Sequence, residues 1–125
     1  MKPAPYGYAR AATLDDVFSL LAEHGEDAKI LAGGQSLMAT LNMRLSEPEV
    51  LIDINRIDVL AGIQDTGDTI RIGAMTRHVD VEESDVIATH APLITAAMEH
   101  VAHPAIRNRG TFGGSIAFAD PAAEM

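Results

Sequence analysis

The first half of the chain alternates short apolar runs with stretches of helical periodicity. Three strands are predicted: a short strand at Tyr6–Arg10, a buried strand at Lys29–Ala32 and an apolar strand at Val50–Ile54. Two amphipathic helices are predicted between them. Their apolar positions are Leu14, Val17, Phe18 and Leu21 in the first helix and Leu37, Met38, Leu41 and Leu45 in the second. This alternation predicts a βαβ-like first half.

Local signals predict where these two helices begin and end. Thr13, followed three residues later by Asp16, forms a capping box that opens the first helix. Gly25 supplies a left-handed stop for the same helix. The second helix must end before Pro48, because the residue before a proline avoids the helical conformation.

The second half begins with an antiparallel pattern. Ala61–Gln64 and Thr69–Ala74 flank Asp65-Thr66-Gly67-Asp68, whose residues are typical of a hairpin turn. Thr76–Ser84 is then predicted to be a short acidic helix.

The remainder of the second half predicts one more helix and one more strand. Pro92 opens the helix and Pro104 closes it, and Ser115–Ala119 predicts the strand. The chain is therefore predicted to be α+β, with a first small α/β lobe over residues 1–55 and an incomplete second α+β lobe over residues 56–125.

Composition and charge narrow the classes of function. The chain has 125 residues, and 9 Lys plus Arg against 18 Asp plus Glu leave a formal net charge of −9. This charge argues against nucleic acid and anionic membrane surfaces as partners, since both attract positive charge. No apolar run approaches the ~18 residues of a membrane span, and no signal peptide opens the chain, so a cytoplasmic location is expected.

The chain contains no cysteine. It therefore forms no disulfide, performs no cysteine catalysis and ligates no iron–sulfur cluster by thiolates. No metal site is predicted either. His100 and His103 stand three residues apart at a helix end, but no third ligand is spaced to complete a site.

Two glycines separate a predicted strand from a predicted helix in Leu31-Ala32-Gly33-Gly34-Gln35-Ser36-Leu37. Glycine permits a positive φ and lets a ligand approach the main chain closely. The N–H groups of Gly34, Gln35 and Ser36 would then converge at the start of the helix, an arrangement that favours an anion. A tight turn with Ser36 as N-cap explains the same residues, so both interpretations stay open.

A second glycine pair lies in Arg109-Gly110-Thr111-Phe112-Gly113-Gly114-Ser115, before a predicted strand. Two phosphate-sized nests suit a pyrophosphate better than one does. The chain has neither the G-x-G-x-x-G fingerprint nor the Walker A pattern, so we expect a dinucleotide bound by another fold. Arg107 and Arg109 either offset the diphosphate charge or pair with acidic surface groups or a partner subunit.

These motifs resemble those of a known family. Ala32–Leu37, Ile106–Ser115 and Ala119–Glu124 together resemble the FAD-binding subunit of the molybdenum hydroxylases, represented by the medium subunit of carbon monoxide dehydrogenase and the FAD-binding subunit of bacterial xanthine dehydrogenases. The resemblance implies a two-lobed FAD-binding fold of the vanillyl-alcohol-oxidase (PCMH) type. It implies cofactor contacts at Ala32, Gly33, Gly34, Gln35, Ser36, Leu37, Thr111, Phe112, Gly113, Gly114, Ser115 and Glu124.

The resemblance also implies partners and a role. Electrons would pass from a molybdopterin large subunit, through iron–sulfur clusters on a small subunit, to this FAD and on to NAD or a quinone. Glu124 matches an acidic residue that hydrogen-bonds a sugar hydroxyl of FAD. His78 is interpreted as a hydrogen-bonded loop residue, and no catalytic acid or base is assigned.

Two other interpretations stay open at this stage. One is a stand-alone flavin oxidase of the same fold, and the other is a non-catalytic fragment that only contributes surface to a complex. The family's chains continue beyond the second motif, so these 125 residues are expected to be part of a longer subunit. Expressed alone, they are expected to bind FAD poorly.

Overall fold

The most buried strand of the chain is Val50–Asp53 (β3), in a computed structural model that describes residues 1–125. Gly7–Arg10 (β1) and Ala28–Leu31 (β2) pair with its two edges, and all three strands are parallel. Strand β3 is therefore central, in the order β1-β3-β2. All four of its residues are buried. A parallel strand that is covered on both faces needs consecutive apolar residues, and this explains the run Val50–Ile52.

Two helices connect these strands, Leu14–His24 (α1) and Leu37–Asn42 (α2). The predicted capping box is confirmed: Thr13 Oγ1 accepts from Asp16 N at 3.1 Å, and Asp16 Oδ2 accepts from Thr13 N at 2.9 Å. Gly25 follows α1 with a φ of +56° and opens a 3-10 turn over Gly25–Asp27. The second helix is shorter than its apolar pattern predicts, because Leu45 lies beyond its end and is 72% exposed.

The predicted hairpin is also present. Ile63–Asp65 (β4) and Ile70–Ile72 (β5) pair antiparallel, with Ile63 opposite Ile72. The turn between them closes through Thr66 N, which donates to Thr69 O at 2.9 Å.

Five short helices follow the hairpin. They are His78–Glu82 (α3), Asp85–His90 (α4), Pro92–Met98 (α5), Pro104–Arg107 (α6) and Phe112–Phe118 (α7). Val81, Ile87, Met98 and Val101 form the buried core of this part, and Phe112 and Met125 pack against it.

The predicted final strand at Ser115–Ala119 is wrong, because those residues belong mostly to α7. A short apolar run fits a strand or a buried helix equally well by periodicity alone. Here Thr111 decides the outcome, since its side chain caps the helix by accepting from Gly114 N at 3.2 Å. The second glycine pair therefore lies in the first turn of a helix and does not lead into a strand.

The structure also differs from the prediction in where one helix ends and in containing an additional helix. Pro104 does not close the third predicted helix, since α5 ends at Met98 and Pro104 instead opens α6. A separate helix, α4, follows the acidic stretch, because the hydroxyl of Ser84 caps it by accepting from Ile87 N at 3.3 Å. Proline at the start of a helix and serine at its N-cap are both favourable, and these signals were present in the sequence.

The chain separates into two compact units, Met1–Asp58 and Val59–Met125. The first unit contains the parallel sheet with α1 and α2, and the second contains the hairpin with α3 to α7. None of the helices has the length and apolar character that crossing a bilayer would require.

Candidate functional site

The first glycine segment turns the chain from β2 into α2. Gly34 has a φ of +74°, and a Cβ there would lie 3.3 Å from both Leu31 Cδ1 and Met38 Cγ. A residue with a side chain would be strained at that φ as well as crowded. Ser36 occupies the N-cap position, but its hydroxyl makes no capping hydrogen bond. The predicted strand-to-helix turn with Ser36 at the N-cap position is therefore present, but the Ser36 side chain does not cap the helix.

The same segment presents hydrogen-bond donors whose partners are not in the protein. The N–H groups of Gly33, Gly34, Gln35 and Ser36 donate to no protein acceptor. Their carbonyls are used, since Gly33 O accepts from Gln35 Nε2 at 3.2 Å and Gly34 O accepts from Met38 N at 3.1 Å. A row of N–H groups without acceptors carries partial positive charge, and this suits an anion such as a phosphate.

Asp53, the last residue of β3, holds this segment in place through Asn55. Asn55 Nδ2 donates to Asp53 Oδ1 at 2.6 Å and to Ala32 O at 2.9 Å. Asn55 N also donates to Asp53 Oδ1, at 2.8 Å. The other carboxylate oxygen of Asp53 accepts from the Tyr8 hydroxyl. Asp53 thus links β3 to Tyr8 of β1 and, through Asn55, to Ala32 directly after β2.

The carboxyl group of Asp53 is charged at neutral pH although it is only 9% exposed. Burial acts to raise its pKa, but hydrogen bonds from Tyr8 and Asn55, together with the charge of Arg10, outweigh burial and lower the pKa below its ordinary value. The charged form is the better hydrogen-bond acceptor, so it strengthens the link to Asn55.

The sequence analysis did not identify Asp53 and Asn55 as site residues. The sequence signal for them is that two polar residues, Asp53 and Asn55, stand at the end of the apolar run Val50–Ile52. Ligands of open α/β sheets bind outside the carboxyl ends of parallel strands, so this position could have marked the pair.

The second glycine segment uses its N–H groups inside the protein. Phe112 N donates to Thr76 O and Gly113 N donates to Ala74 O, each at 2.9 Å. Gly114 N donates to the Thr111 hydroxyl, which is buried. This segment does not form the second N–H nest that its glycines predicted.

Close packing explains why glycine occupies Gly113. A Cβ there would lie 2.6 Å from Ala74 Cβ and 2.7 Å from Ala74 Cα, which no real side chain tolerates. Gly110 is similar, because its Cβ would lie 2.8 Å from His78 Cδ2. Both glycines let the chain before and within α7 lie against the segment from Ala74 to His78.

His78 is the first residue of α3 and only 3% exposed. Its ring packs beside Gly110, and its centre lies 6.5 Å from the ring centre of Phe112. Its Nδ1 is buried and has no hydrogen-bond partner. Burial lowers the pKa of His78, and the negative charge of Glu124 partly opposes that effect. The imidazole is therefore neutral at pH 7, and the prediction of a hydrogen-bonded loop residue is wrong for the side chain.

Three further residues from the sequence analysis lie at separate places in the chain. Glu124 is exposed, near the end of the second unit. Arg107 pairs with Glu82 at 3.0 Å and also donates to Val101 O at 3.0 Å, so the interpretation in which it pairs with an acidic group is confirmed. Leu37 is the first residue of α2 and is partly buried.

Comparison with known proteins identifies the class. Residues 4–125 match the family described as the FAD binding domain in molybdopterin dehydrogenase, and the chain belongs to this family. The resemblance seen in the sequence motifs is thereby confirmed, and FAD is the cofactor of the family.

Individual relatives agree with this assignment. The chain is 50% identical over 125 residues to the 6-hydroxypseudooxynicotine dehydrogenase complex subunit alpha of Paenarthrobacter nicotinovorans, covering 100% of this chain and 42% of the relative. It is 43% identical over 121 residues to the carbon monoxide dehydrogenase medium chain of Hydrogenophaga pseudoflava, and the match covers 97% of this chain and 42% of that relative. The structure of quinoline 2-oxidoreductase from Pseudomonas putida 86 matches with a TM-score of 0.96 at 40% identity, and the match covers 100% of this chain and 44% of that structure's chain. The chain thus spans less than half the length of these relatives.

The first glycine segment fits the diphosphate of FAD by its own geometry. Four main-chain N–H groups without acceptors and a positive φ at Gly34 leave room and hydrogen-bond donors for phosphate oxygens. The second segment fits less directly, since its N–H groups are already bonded and only the side chains of residues such as Ser115 and Glu124 remain for a ligand.

The link from Asp53 to the first glycine segment makes a testable prediction. Replacing Asn55 with Ala removes the donor to Ala32 O and leaves Asp53 short of a partner, so we expect unfolding to become easier by about 1 to 3 kcal/mol. Urea unfolding measures this change. Asn108→Ala, which alters an exposed asparagine outside the network, is the control and should change stability little. Equal stability of the two variants would contradict the role given to Asn55.

The lowered pKa of His78 predicts how stability changes with pH. Between the lowered folded value and the ordinary ~6.5, the unfolded chain binds a proton that the folded chain does not. The free energy of unfolding should therefore fall as pH is lowered from 7 toward 5. Asp53 affects stability in a different pH range. Because its pKa is lowered in the folded chain, its contribution to the free energy of unfolding is lost only below about pH 4, where the carboxylate becomes protonated. Urea unfolding of the wild type and His78→Asn should show a shallower pH dependence in the variant, and identical slopes would refute this prediction.

Proposed function

We propose that this chain is the FAD-binding part of a subunit of a molybdenum-containing hydroxylase or dehydrogenase. In this role it accepts electrons from iron–sulfur clusters through FAD and passes them to NAD or a quinone. The family match and the names of the relatives, which are dehydrogenase or oxidoreductase components, support the proposal.

The observation that carries the proposal is the open row of N–H groups at Gly33 to Ser36. A dinucleotide cofactor needs a place for its two phosphates, and main-chain donors at a glycine turn provide one without a side chain in the way. Asn55 and Asp53 keep that turn fixed before the cofactor arrives, so little order has to be gained on binding.

FAD, when bound, supplies the redox chemistry, and the protein supplies binding and orientation. Gly33 to Ser36 would hold the phosphates through their N–H groups, and Leu37 would present an apolar side chain beside them. Thr111 to Ser115 and Glu124 stay predicted contacts of the same cofactor. Electron relay requires no proton donor on this chain, so none is assigned.

These 125 residues contain no cysteine, so the thiolate ligands of the iron–sulfur clusters in such a relay would lie outside them. We therefore propose an iron–sulfur small subunit and a molybdopterin large subunit as partners. We also propose that the unit of residues 1–58 is the first small lobe of a vanillyl-alcohol-oxidase type fold and that residues 59–125 are an incomplete part of its second lobe.

Substitution at Gly34 tests the proposal. In the complete subunit, Gly34→Val should lower FAD affinity by at least tenfold, because the new side chain crowds Leu31 and Met38 and distorts the N–H row. Flavin fluorescence during titration with FAD measures the affinity. Gly67→Val is the matched control, since Gly67 also has a positive φ, of +91°, but stands in the hairpin turn.

The control variant should lose stability and keep its FAD affinity. Full FAD affinity in Gly34→Val would show that this segment does not hold the phosphates. A wild-type subunit that binds no FAD would refute the proposed function as a whole.

A further inference from the structure

The peptide group between Ala32 and Gly33 is fixed from outside the glycine segment. A trans peptide group is planar, with its carbonyl oxygen and its N–H on opposite sides, so a contact that holds one of them also aims the other. Ala32 O accepts from Asn55 Nδ2 at 2.9 Å. The N–H of the same peptide group is that of Gly33, which donates to no protein acceptor. Asn55 therefore aims the first N–H of the open row away from itself.

The next two peptide groups of the row are fixed by nearby residues. Gly33 O accepts from Gln35 Nε2 at 3.2 Å, and this holds the N–H of Gly34. Gly34 O accepts from Met38 N at 3.1 Å, and this holds the N–H of Gln35. The Gly33 N–H differs from these, because its direction depends on a side chain that stands 23 positions after Ala32 in the sequence.

Asn55 is itself held by the carboxylate of Asp53. Asp53 Oδ1 accepts from Asn55 Nδ2 at 2.6 Å and from Asn55 N at 2.8 Å. The terminal torsion of an aspartate side chain is broad, so the carboxylate can turn unless its second oxygen is held as well. Tyr8 holds that oxygen, since its hydroxyl donates to Asp53 Oδ2. An unbroken chain of hydrogen bonds thus runs from Tyr8 to the peptide group of Gly33.

Tyr8 acts on Asp53 from the neighbouring strand. The parallel register of β1 and β3 places Arg10 opposite Asp53, and the Arg10 guanidinium lies 6.0 Å from the centre of the Tyr8 ring. The ring is 52% exposed, so a phenylalanine in its place would remove the hydroxyl and leave the core unchanged.

Few charges surround the carboxylate of Asp53. Arg10 is the nearest along the sheet, and α2 carries no charged residue. The other charged or titratable side chains of the adjoining elements are exposed, except for His24 in the last turn of α1: Asp15, Asp16 and Glu23 on α1, Lys29 on β2 and Arg56 after β3.

We propose that Tyr8 is a positioning residue for the diphosphate of FAD. Through Asp53 and Asn55, its hydroxyl fixes the peptide group that aims the Gly33 N–H at a phosphate oxygen. Tyr8 itself touches no part of the cofactor. The inference rests on the proposed function, because it concerns the segment that is proposed to hold the phosphates.

Removal of one hydroxyl tests this role. In the complete subunit, Tyr8→Phe should weaken FAD binding by about three- to tenfold, because the carboxylate of Asp53 is then free to turn away from Asn55. Tyr6→Phe is the matched control, since Tyr6 lies two residues away and outside this chain of hydrogen bonds. It should leave FAD affinity unchanged. Titration with FAD, followed by flavin fluorescence, measures both variants.

The pH dependence of FAD affinity separates positioning from packing. The hydrogen bond from Tyr8 lowers the pKa of Asp53, so its removal raises that pKa. A protonated Asp53 is a weaker acceptor for Asn55. Tyr8→Phe should therefore lose more affinity than the wild type as the pH is lowered from about 7.5 to about 5. A ratio of the two affinities that is the same at both pH values would overturn the inference.

A double-mutant cycle with Asn55 completes the test. In an Asn55→Ala background, Tyr8→Phe should have no further effect on FAD affinity, because the link to Ala32 is already gone. Additive losses in the double variant, or full affinity in Tyr8→Phe alone, would overturn the inference. Both results leave the proposed function intact, whereas a wild-type subunit that binds no FAD would overturn the inference and the proposed function together.

Discussion

The hydrogen bonds of one buried carboxylate determine how the first unit presents its glycine turn. Asp53 ends the central strand, where every other residue is apolar, and its oxygens accept from Tyr8 and Asn55. A buried charge is stable only when such donors surround it. Asn55 in turn reaches Ala32 O, so one buried charge fixes both a strand edge and the start of the turn.

The two glycine pairs look alike in sequence but have different roles in the structure. At Gly33 and Gly34 the main-chain donors are left without protein acceptors, which is a property of a binding surface. At Gly113 the glycine is needed because Ala74 lies where a side chain would be, and the neighbouring donors bond within the protein. Glycine content alone therefore does not distinguish a ligand-binding turn from a close contact between two segments of one chain.

Features that depend on nearby residues were predictable from the sequence. The capping box at Thr13 and Asp16, the hairpin and the three parallel strands all follow from spacing and turn chemistry, and they are present. Helix α7 was not predictable by the same means, because seven residues containing two glycines and a run of apolar side chains fit a strand as well as a helix.

The site depended in part on contacts between distant residues. Asn55 contacts Ala32 across 23 positions of sequence, and His78 contacts Gly110 across an even longer separation, so neither contact leaves a local pattern. The family motifs marked the first glycine segment because its function depends on a continuous stretch of main chain. They did not mark Asp53, Asn55 or the buried ring of His78, whose roles arise only after folding.

Amide hydrogen exchange followed by mass spectrometry tests the central claim most directly. The account predicts that adding FAD to the complete subunit slows exchange at Gly33, Gly34, Gln35 and Ser36, whose N–H groups have no protein acceptor. Exchange at Phe112 to Ser115 should be slower than at this segment before FAD is added and should change less, since those N–H groups are already bonded. Binding of FAD that leaves exchange at Gly33 to Ser36 unchanged would contradict the account.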